Sequence, residues 1–505
     1  MRPAIIYGVV SFVAVVGLLM TATKKPVNMA TETMTPGARL AAQDNPLPFP
    51  FETEANLTAW RDGGTAGMLL IRRHAWGLYD YLVRETPDPL WLTWLTKSAA
   101  LSPAAAGNCA PGGPARHKTL AKTDRARLLG DLKFAEQVLV DPRGAQKGNL
   151  IEPDQLASVY FNDTVANYLA TVAGASDPCH PSLINELTRQ VTTSSPMNGM
   201  PPRMSPEFPV ESIVIKAIWM VVPNADTSSH NVVSNIQMWD PSTMQPDPTQ
   251  YDPVKLWKST ISIDLKKSKQ CDRTRDYGDQ EAVPLGCFYH IQPTSQEWAT
   301  ILRRLQVIRP VGEGPLGPNA LVLVGFHVMT REIRDWTWQT YYWSKRAFTG
   351  DVLQHDDTNW GNRGDPRWSH YVMDTALSAT LPLESDGGPK KCFNPYLEAS
   401  RTKGAISNCI GCHQYALFRA QPTDLNGTQA GYALSQQDRH TQPTSQQLSD
   451  YNANGLSTSM LWSLADLNQS GSSGLVPHFL FPPARLNIAR PLSRVRAHAG
   501  SVPLK

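Results

Sequence analysis

The chain has 505 residues, 41% of them hydrophobic and 18% charged, with a net charge of +3. One hydrophobic core seldom grows beyond roughly 250–300 residues, so two or more folded units are expected. The small net charge gives no electrostatic basis for a nucleic-acid partner. The 41 prolines favour many short elements and loops over long helices, and 14 tryptophans point to large aromatic cores or surfaces.

Behind Arg2, the run from Ala4 to Ala22 is almost entirely apolar, and Lys24 and Lys25 follow it. Its length fits a cleaved signal sequence or a membrane-spanning anchor, and residues 1–23 are read as one or the other. Met20 is bulky for a cleavage site, which tilts the reading toward an anchor. Either way the remainder is expected outside the cytoplasm: periplasmic, or held at the outer face of the inner membrane. Residues 24–50 carry Lys24-Lys25-Pro26, Pro36-Gly37 and Pro46-Leu47-Pro48-Phe49-Pro50 without periodicity, and read as a linker.

From Glu52 to about Gln190 the pattern predicts mainly helix, with apolar residues at helical spacing over Gly67 to Val83, Arg125 to Val140 and Gln155 to Thr171. Ser195 to Pro209 holds five prolines and reads as a loop. Val210 to Val222, Asn231 to Trp239, Ser259 to Leu265, Ala320 to Met329 and Trp336 to Trp343 are rich in β-branched and aromatic residues and predict strands. A capping box at Thr294 and Glu297 opens one helix among them. The middle is expected to be β-rich, in the manner of a sandwich, and Asp351 to Pro389 a polar connection. The fold class predicted is α+β. Residues 51–385 form a region with a helical first part and a β-rich middle, and a mainly helical unit with a basic tail follows at 390–505.

Of the seven cysteines, Cys271 and Cys287 are the preferred disulfide pair in an exported chain. Cys409-Ile410-Gly411-Cys412-His413 is the strongest local signal in the chain. In a C-x-x-C-H sequence, two thiols three steps apart meet one porphyrin edge, and the imidazole that follows reaches the iron from one side. Structural zinc usually takes a second ligand pair of similar spacing, and no second C-x-x-C exists. A thioredoxin-like redox pair belongs in a βαβ setting, which the pattern does not predict.

The five residues from Cys409 to His413 resemble the attachment motif of c-type cytochromes. Asn394 to Ile406, read as a helix leading into the motif, is similar to the usual small cytochrome c domain. Trp91 to Lys97 and Gly325 to Thr340 resemble segments of large bacterial proteins that carry one such haem. The resemblance implies one covalent haem c on Cys409 and Cys412, with His413 as proximal iron ligand. It implies one-electron transfer with a redox partner protein outside the cytoplasm. A peroxidase- or oxidase-like haem enzyme, with the long N-terminal region binding substrate, is the alternative.

The second axial position departs from the familiar pattern. Met460 is the only methionine after His413, and its flanks do not match a known ligand loop. Met460, His440, His478 and His327 are the candidate sixth ligands, with an open position as the remaining choice. Other signals carry less. Gly312 to Gly317 spells G-x-G-x-x-G, but prolines at 315 and 318 favour a turn. Trp336, Trp338 and Tyr342 share a strand face and are read as core rather than as a haem-side wall. Met197, Met200 and Met204 are read as loop residues rather than a copper site. The Asp and Asn residues at 356, 357, 359, 362 and 365 are read as a solvated loop.

Overall fold

A computed structural model describes residues 49–84, 88–101, 129–134, 155–175, 182–195, 200–222, 233–238, 259–265, 271–272, 275–278, 281–304, 320–345, 365–381, 383, 392, 394, 396, 409–419, 444–452, 455–459, 461 and 464. The apolar run at 4–22 and most of the linker lie outside them. Among the described residues no helix is long and apolar enough to cross a membrane.

Two helices open the described chain, α1 (Glu54–Asp62) and α2 (Gly64–Val83). The Thr53 hydroxyl caps α1 by accepting from the Asn56 amide. Gly64, with φ of 62°, turns the chain between them. The two helices meet so closely at Gly67 that a Cβ there would stand 1.8 Å from the Trp60 carbonyl oxygen. Only glycine permits that approach. The inner face of α2 buries Ala75, Trp76, Leu78, Tyr79, Leu82 and Val83, which recur at helical spacing.

The chain then enters a sheet through β1 (Leu95–Thr96), the short helix α3 (Lys97–Leu101), β2 (Lys133–Phe134) and β3 (Gln155–Phe161). Helices α4 (Asp163–Ala173) and α5 (Leu183–Thr193) follow. Gln155 to Phe161, expected as helix, is a strand, and so are two residues inside the helix expected over Arg125 to Val140. Asn162 marks the change of period. Its side chain accepts from the Val165 amide to cap α4, accepts from the Ile213 amide, and donates to the Glu211 carbonyl.

Next come β4 (Ile213–Val222), β5 (Val233–Met238), β6 (Ser259–Asp264), β7 (Ala282–Pro284), β8 (His290–Ile291), helix α6 (Ser295–Arg304), β9 (Ala320–Thr330), β10 (Thr337–Trp343) and β11 (Tyr371–Ala376). The capping box at α6 forms as the sequence predicts. The Thr294 amide donates to the Glu297 carboxylate and the Glu297 amide to the Thr294 hydroxyl. The last elements are the short turn of helix α7 (Ile410–His413), β12 (Leu417–Arg419), α8 (Ser445–Asn452) and β13 (Gly455–Ser457).

The fold is α+β, with helices set against antiparallel sheet. The main sheet has eight strands in the order β1-β3-β4-β9-β10-β11, with β2 beside β3 and β8 beside β9. Its neighbouring strands are all antiparallel. β11 lies in the stretch expected to be a connection, and its six residues complete one edge of the sheet. A three-stranded sheet, β5-β6-β7, and the pair β12-β13 are separate.

Helix α2 lies over one face of the main sheet. Tyr341 donates to the Ala75 carbonyl at 2.6 Å, Tyr79 donates to the Trp368 carbonyl at 2.8 Å, and the Tyr79 and Phe326 rings stack. Trp91 packs edge-on against Tyr160 and stacks with Phe326 in the same core. A second apolar cluster joins Phe161, Val214, Met329, Trp338 and Ala376 of the sheet to residues of α4, α5 and the C-terminal segment.

Cys271 and Cys287 form a disulfide, the pair expected from sequence. It closes a loop with a sequence separation of 16, for which the chain-entropy model gives about 3 kcal/mol of stabilisation. Replacing both cysteines with serine is therefore expected to lower unfolding stability by about that amount. Urea denaturation of variant and parent checks it, and no loss of stability would show that the cross-link adds nothing to the fold.

Candidate functional site

Cys409 is a non-glycine residue with φ of 58°, a left-handed conformation that costs roughly 1–2 kcal/mol for a side chain with a Cβ. Such strain persists where surrounding structure imposes it, and it clusters at functional sites. After Cys409 the chain makes one helical turn. The His413 amide donates to the Cys409 carbonyl at 3.0 Å and the Gln414 amide to the Ile410 carbonyl at 2.9 Å. Cys409 and Ile410 are buried, and His413 is half-buried. The Cys412 backbone lies within this turn.

The turn is clamped by its neighbours. The amide and hydroxyl of Thr458 both donate to the Ala416 carbonyl, and the Tyr451 hydroxyl donates to the Tyr415 carbonyl. β13 in turn holds the proline-rich loop. The Met204 amide donates to the Ser457 carbonyl and the Ser457 amide to the Pro202 carbonyl. Gln190 of α5 grips the same loop by exchanging hydrogen bonds with the Ser205 backbone. Of the three loop methionines, Met200 is exposed and Met204 buried, so these two do not share an environment; Met197 lies outside the described residues.

Cys392 lies beside the first thiol of the motif. The Cys409 Sγ donates to the Cys392 carbonyl, and the two sulfurs are 3.5 Å apart, beyond the ~2.05 Å of a disulfide. Two residues on, Asn394 donates to the Thr340 hydroxyl at 2.9 Å and to the Tyr341 carbonyl at 3.1 Å. The segment through Cys392 and Asn394 thus links the motif to β10.

On the sheet side the decisive contact is Trp338, whose ring centroid is 4.1 Å from that of His413. Trp338 pairs with Met329 across β9 and β10, and Thr340 pairs with His327. Successive alternate residues on paired strands share a face. His327 and Thr340 therefore lie one row along from the pair that meets His413. The register continues that row to Lys216 on β4 and Asp374 on β11. His327, Thr340 and Asp374 are buried and Lys216 is half-buried. The adjacent row, Phe161, Val214, Met329, Trp338 and Ala376, is wholly apolar.

Burial shifts the titration of His327 in this row and of Tyr342 one row beyond it. It holds the His327 imidazole well below the ordinary histidine range, and the nearby positive charges of Lys216 and His413 push the same way. The Tyr342 hydroxyl is pushed well above the usual tyrosine range, first by burial and then by the Asp374 charge.

The structure thus sets Cys409 and His413 on one turn against the sheet face that also carries His327, and Trp338 is both core and a wall against His413. Trp336 and Tyr342 are buried. Met460, His440 and His478 lie outside the described residues, as do Gly312 to Gly317 and the Asp and Asn residues at 356, 357, 359 and 362. Asp365 pairs with Arg367. Sequence reasoning did not find Cys392, Asn394, Lys216, Thr340 or Asp374 as site residues. For Lys216, Thr340 and Asp374 the signal is a run of polar residues, with His327, at matched positions on four strands, which only the strand register reveals.

Elsewhere, the sulfurs of Cys271 and Cys287 and a ring nitrogen of His370 lie within 4.8 Å of one another. The disulfide removes the thiolates that a metal would need there.

No family model, no curated protein and no solved structure matches this chain.

A Cβ at Gly325 would stand 2.9 Å from Asn394 Nδ2 and 3.1 Å from the Tyr341 carbonyl oxygen. Gly325→Ala is expected to push Asn394 off Thr340 and to cost about 1–3 kcal/mol of stability, read by urea denaturation. An unchanged midpoint would mean that the 392–394 segment is not seated against β9 and β10.

Proposed function

We propose that the chain is a c-type cytochrome carrying one haem, bound through thioethers from Cys409 and Cys412, with His413 as the proximal iron ligand. The observation that carries this reading is the C-x-x-C-H sequence at 409–413, set on a single helical turn. The donor set fits the group: thiols for the vinyl carbons and an imidazole for iron. The turn fits as well, because it fixes Cys409 and His413 one helical step apart and leaves His413 half-buried rather than sealed in the core. The motif segment is then the haem-bearing part of the chain, packed in one apolar cluster with the sheet.

When bound there, the haem would supply one-electron redox chemistry for exchange with a redox partner protein. The chain's own residues give that centre its setting. Trp338 packs on His413 and limits its rotation, and the clamp from Thr458 and Tyr451 holds the turn. Work outside the cytoplasm is supported by the apolar run at 4–22 and by the Cys271–Cys287 disulfide, since disulfides persist in oxidising compartments. The N-terminal segment then serves as export signal or inner-membrane anchor.

A haem oxidoreductase of the peroxidase or oxidase type is the second reading. It is favoured by the buried polar row of His327, Thr340 and Asp374, one row along from the Trp338 that meets His413, since a catalytic site needs polar groups near the reacting centre.

Covalent attachment is tested on denaturing gels stained for haem, with the full chain produced in a host able to attach it. A stained band at full-length mass is expected for the parent and its complete loss for Cys409→Ser with Cys412→Ser. Haem that acidic organic solvent removes entirely from the parent would overturn the reading.

A further inference from the structure

We propose that Cys392 and Cys409 form a second, reversible disulfide site, which closes in the haem-free chain and must be reduced before Cys409 takes up haem. The pairing rests on the geometry around the two sulfurs. Its role as a gate on attachment rests on the haem reading above.

The two thiols are already in contact. Their sulfurs are 3.5 Å apart, and the Cys409 Sγ donates to the Cys392 carbonyl. Closing to the ~2.05 Å of a disulfide brings the sulfurs about 1.5 Å nearer, which small rotations of the two side chains span. Both cysteines are buried in one apolar cluster.

Different parts of the fold hold the two partners. Asn394, two residues from Cys392, donates to the Thr340 hydroxyl and the Tyr341 carbonyl of β10. Cys409 opens the turn that Thr458 and Tyr451 clamp. Its left-handed backbone, with φ of 58°, persists only where the surroundings impose it, and in that conformation its sulfur faces Cys392. The contact is thus built by two separate anchors 17 residues apart in the chain.

The chemistry is thiol–disulfide exchange, and the oxidant is a protein or small-molecule disulfide of an oxidising compartment, where the Cys271–Cys287 bond also belongs. One cysteine thiolate attacks the oxidant and releases a thiol. The other cysteine attacks the mixed disulfide and releases a second. In balance, two cysteine thiols give up two electrons and two protons, and the oxidant disulfide takes them to become two thiols. Because both sulfurs are buried, the exchange runs while the segment is open to solvent, before the core closes over it. A thioether to haem needs the same Cys409 sulfur, so disulfide and haem exclude each other. A dithiol reductant reverses the exchange and returns both thiols. Cys412, three residues along the motif, is the competing partner for Cys409.

The full-length chain is exported in a host without haem-attachment proteins, alkylated with iodoacetamide and digested with trypsin without reduction. Cleavage after Lys391, Arg401, Lys403 and Arg419 separates the Cys392 peptide from the one that carries Cys409 and Cys412. Mass spectrometry is expected to find these two peptides joined through Cys392 and Cys409, with Cys412 alkylated, and to lose the joined species on dithiothreitol treatment. The Cys271–Cys287 bond in the same digest is the control for oxidation. Cys392→Ser, with Cys392→Ala as a second variant should serine at this buried position hinder folding, is expected to lose the joined peptide. In a host able to attach haem, the parent is expected to need several-fold more dithiothreitol in the medium than the Cys392 variants to reach half of its full haem stain.

A haem-free chain with Cys271–Cys287 closed, but with Cys392 and Cys409 both alkylated or with Cys409 joined to Cys412, overturns the pairing and leaves the covalent haem standing. A stained parent with the same reductant dependence as the Cys392 variants overturns the gate. A parent that shows the joined peptide but never takes a covalent stain overturns the haem reading, and the gate with it.

Discussion

Strand β9 is buried along its whole length, from Ala320 to Thr330, and this constrains the rest of the structure. A strand buried on both faces reads as a nearly continuous apolar run, and each face must be covered by something that buries apolar surface in return. Helix α2 covers one face through Tyr79, which meets Phe326, and through Ala75, whose carbonyl accepts from Tyr341. On the other face, α4, α5 and the turn that carries Cys409 and His413 join the sheet in one apolar cluster. The C-terminal segment is thereby part of the same core as the sheet, because Cys409, Ile410, Leu456 and Leu461 bury their side chains in that cluster.

The polar row of Lys216, His327, Thr340 and Asp374 interrupts this apolar surface. A buried polar residue costs free energy unless something compensates it, and hydrogen bonds supply that here: Asn394 donates to the Thr340 hydroxyl and the Thr375 amide donates to the Asp374 carboxylate.

Much of this was legible in the sequence wherever the signal is local. The C-x-x-C-H motif, the capping box at Thr294 and Glu297, and the strands β4, β5, β6, β9 and β10 are each contained in a dozen residues or fewer. The disulfide between Cys271 and Cys287 was legible from proximity in the chain. β3 was not, because Gln155 to Phe161 runs directly into α4 and the joined stretch mimics a helical repeat. The cap at Asn162 is the signal that separates them. β11 was hidden because its six residues stand among Gly, Pro and Asp. The row across the sheet was beyond reach for a different reason. His327 was a candidate ligand by its type, but its neighbours Lys216, Thr340 and Asp374 come from three other strands. Only the register brings them together.

Mass spectrometry of the proteolytic peptide that spans residues 409–413, from full-length protein made in a host able to attach haem, tests the proposed attachment most directly. The expected result is a peptide heavier by one haem, with Cys409 and Cys412 both blocked to alkylation. A peptide of unmodified mass, with both thiols open to alkylation, would contradict the account.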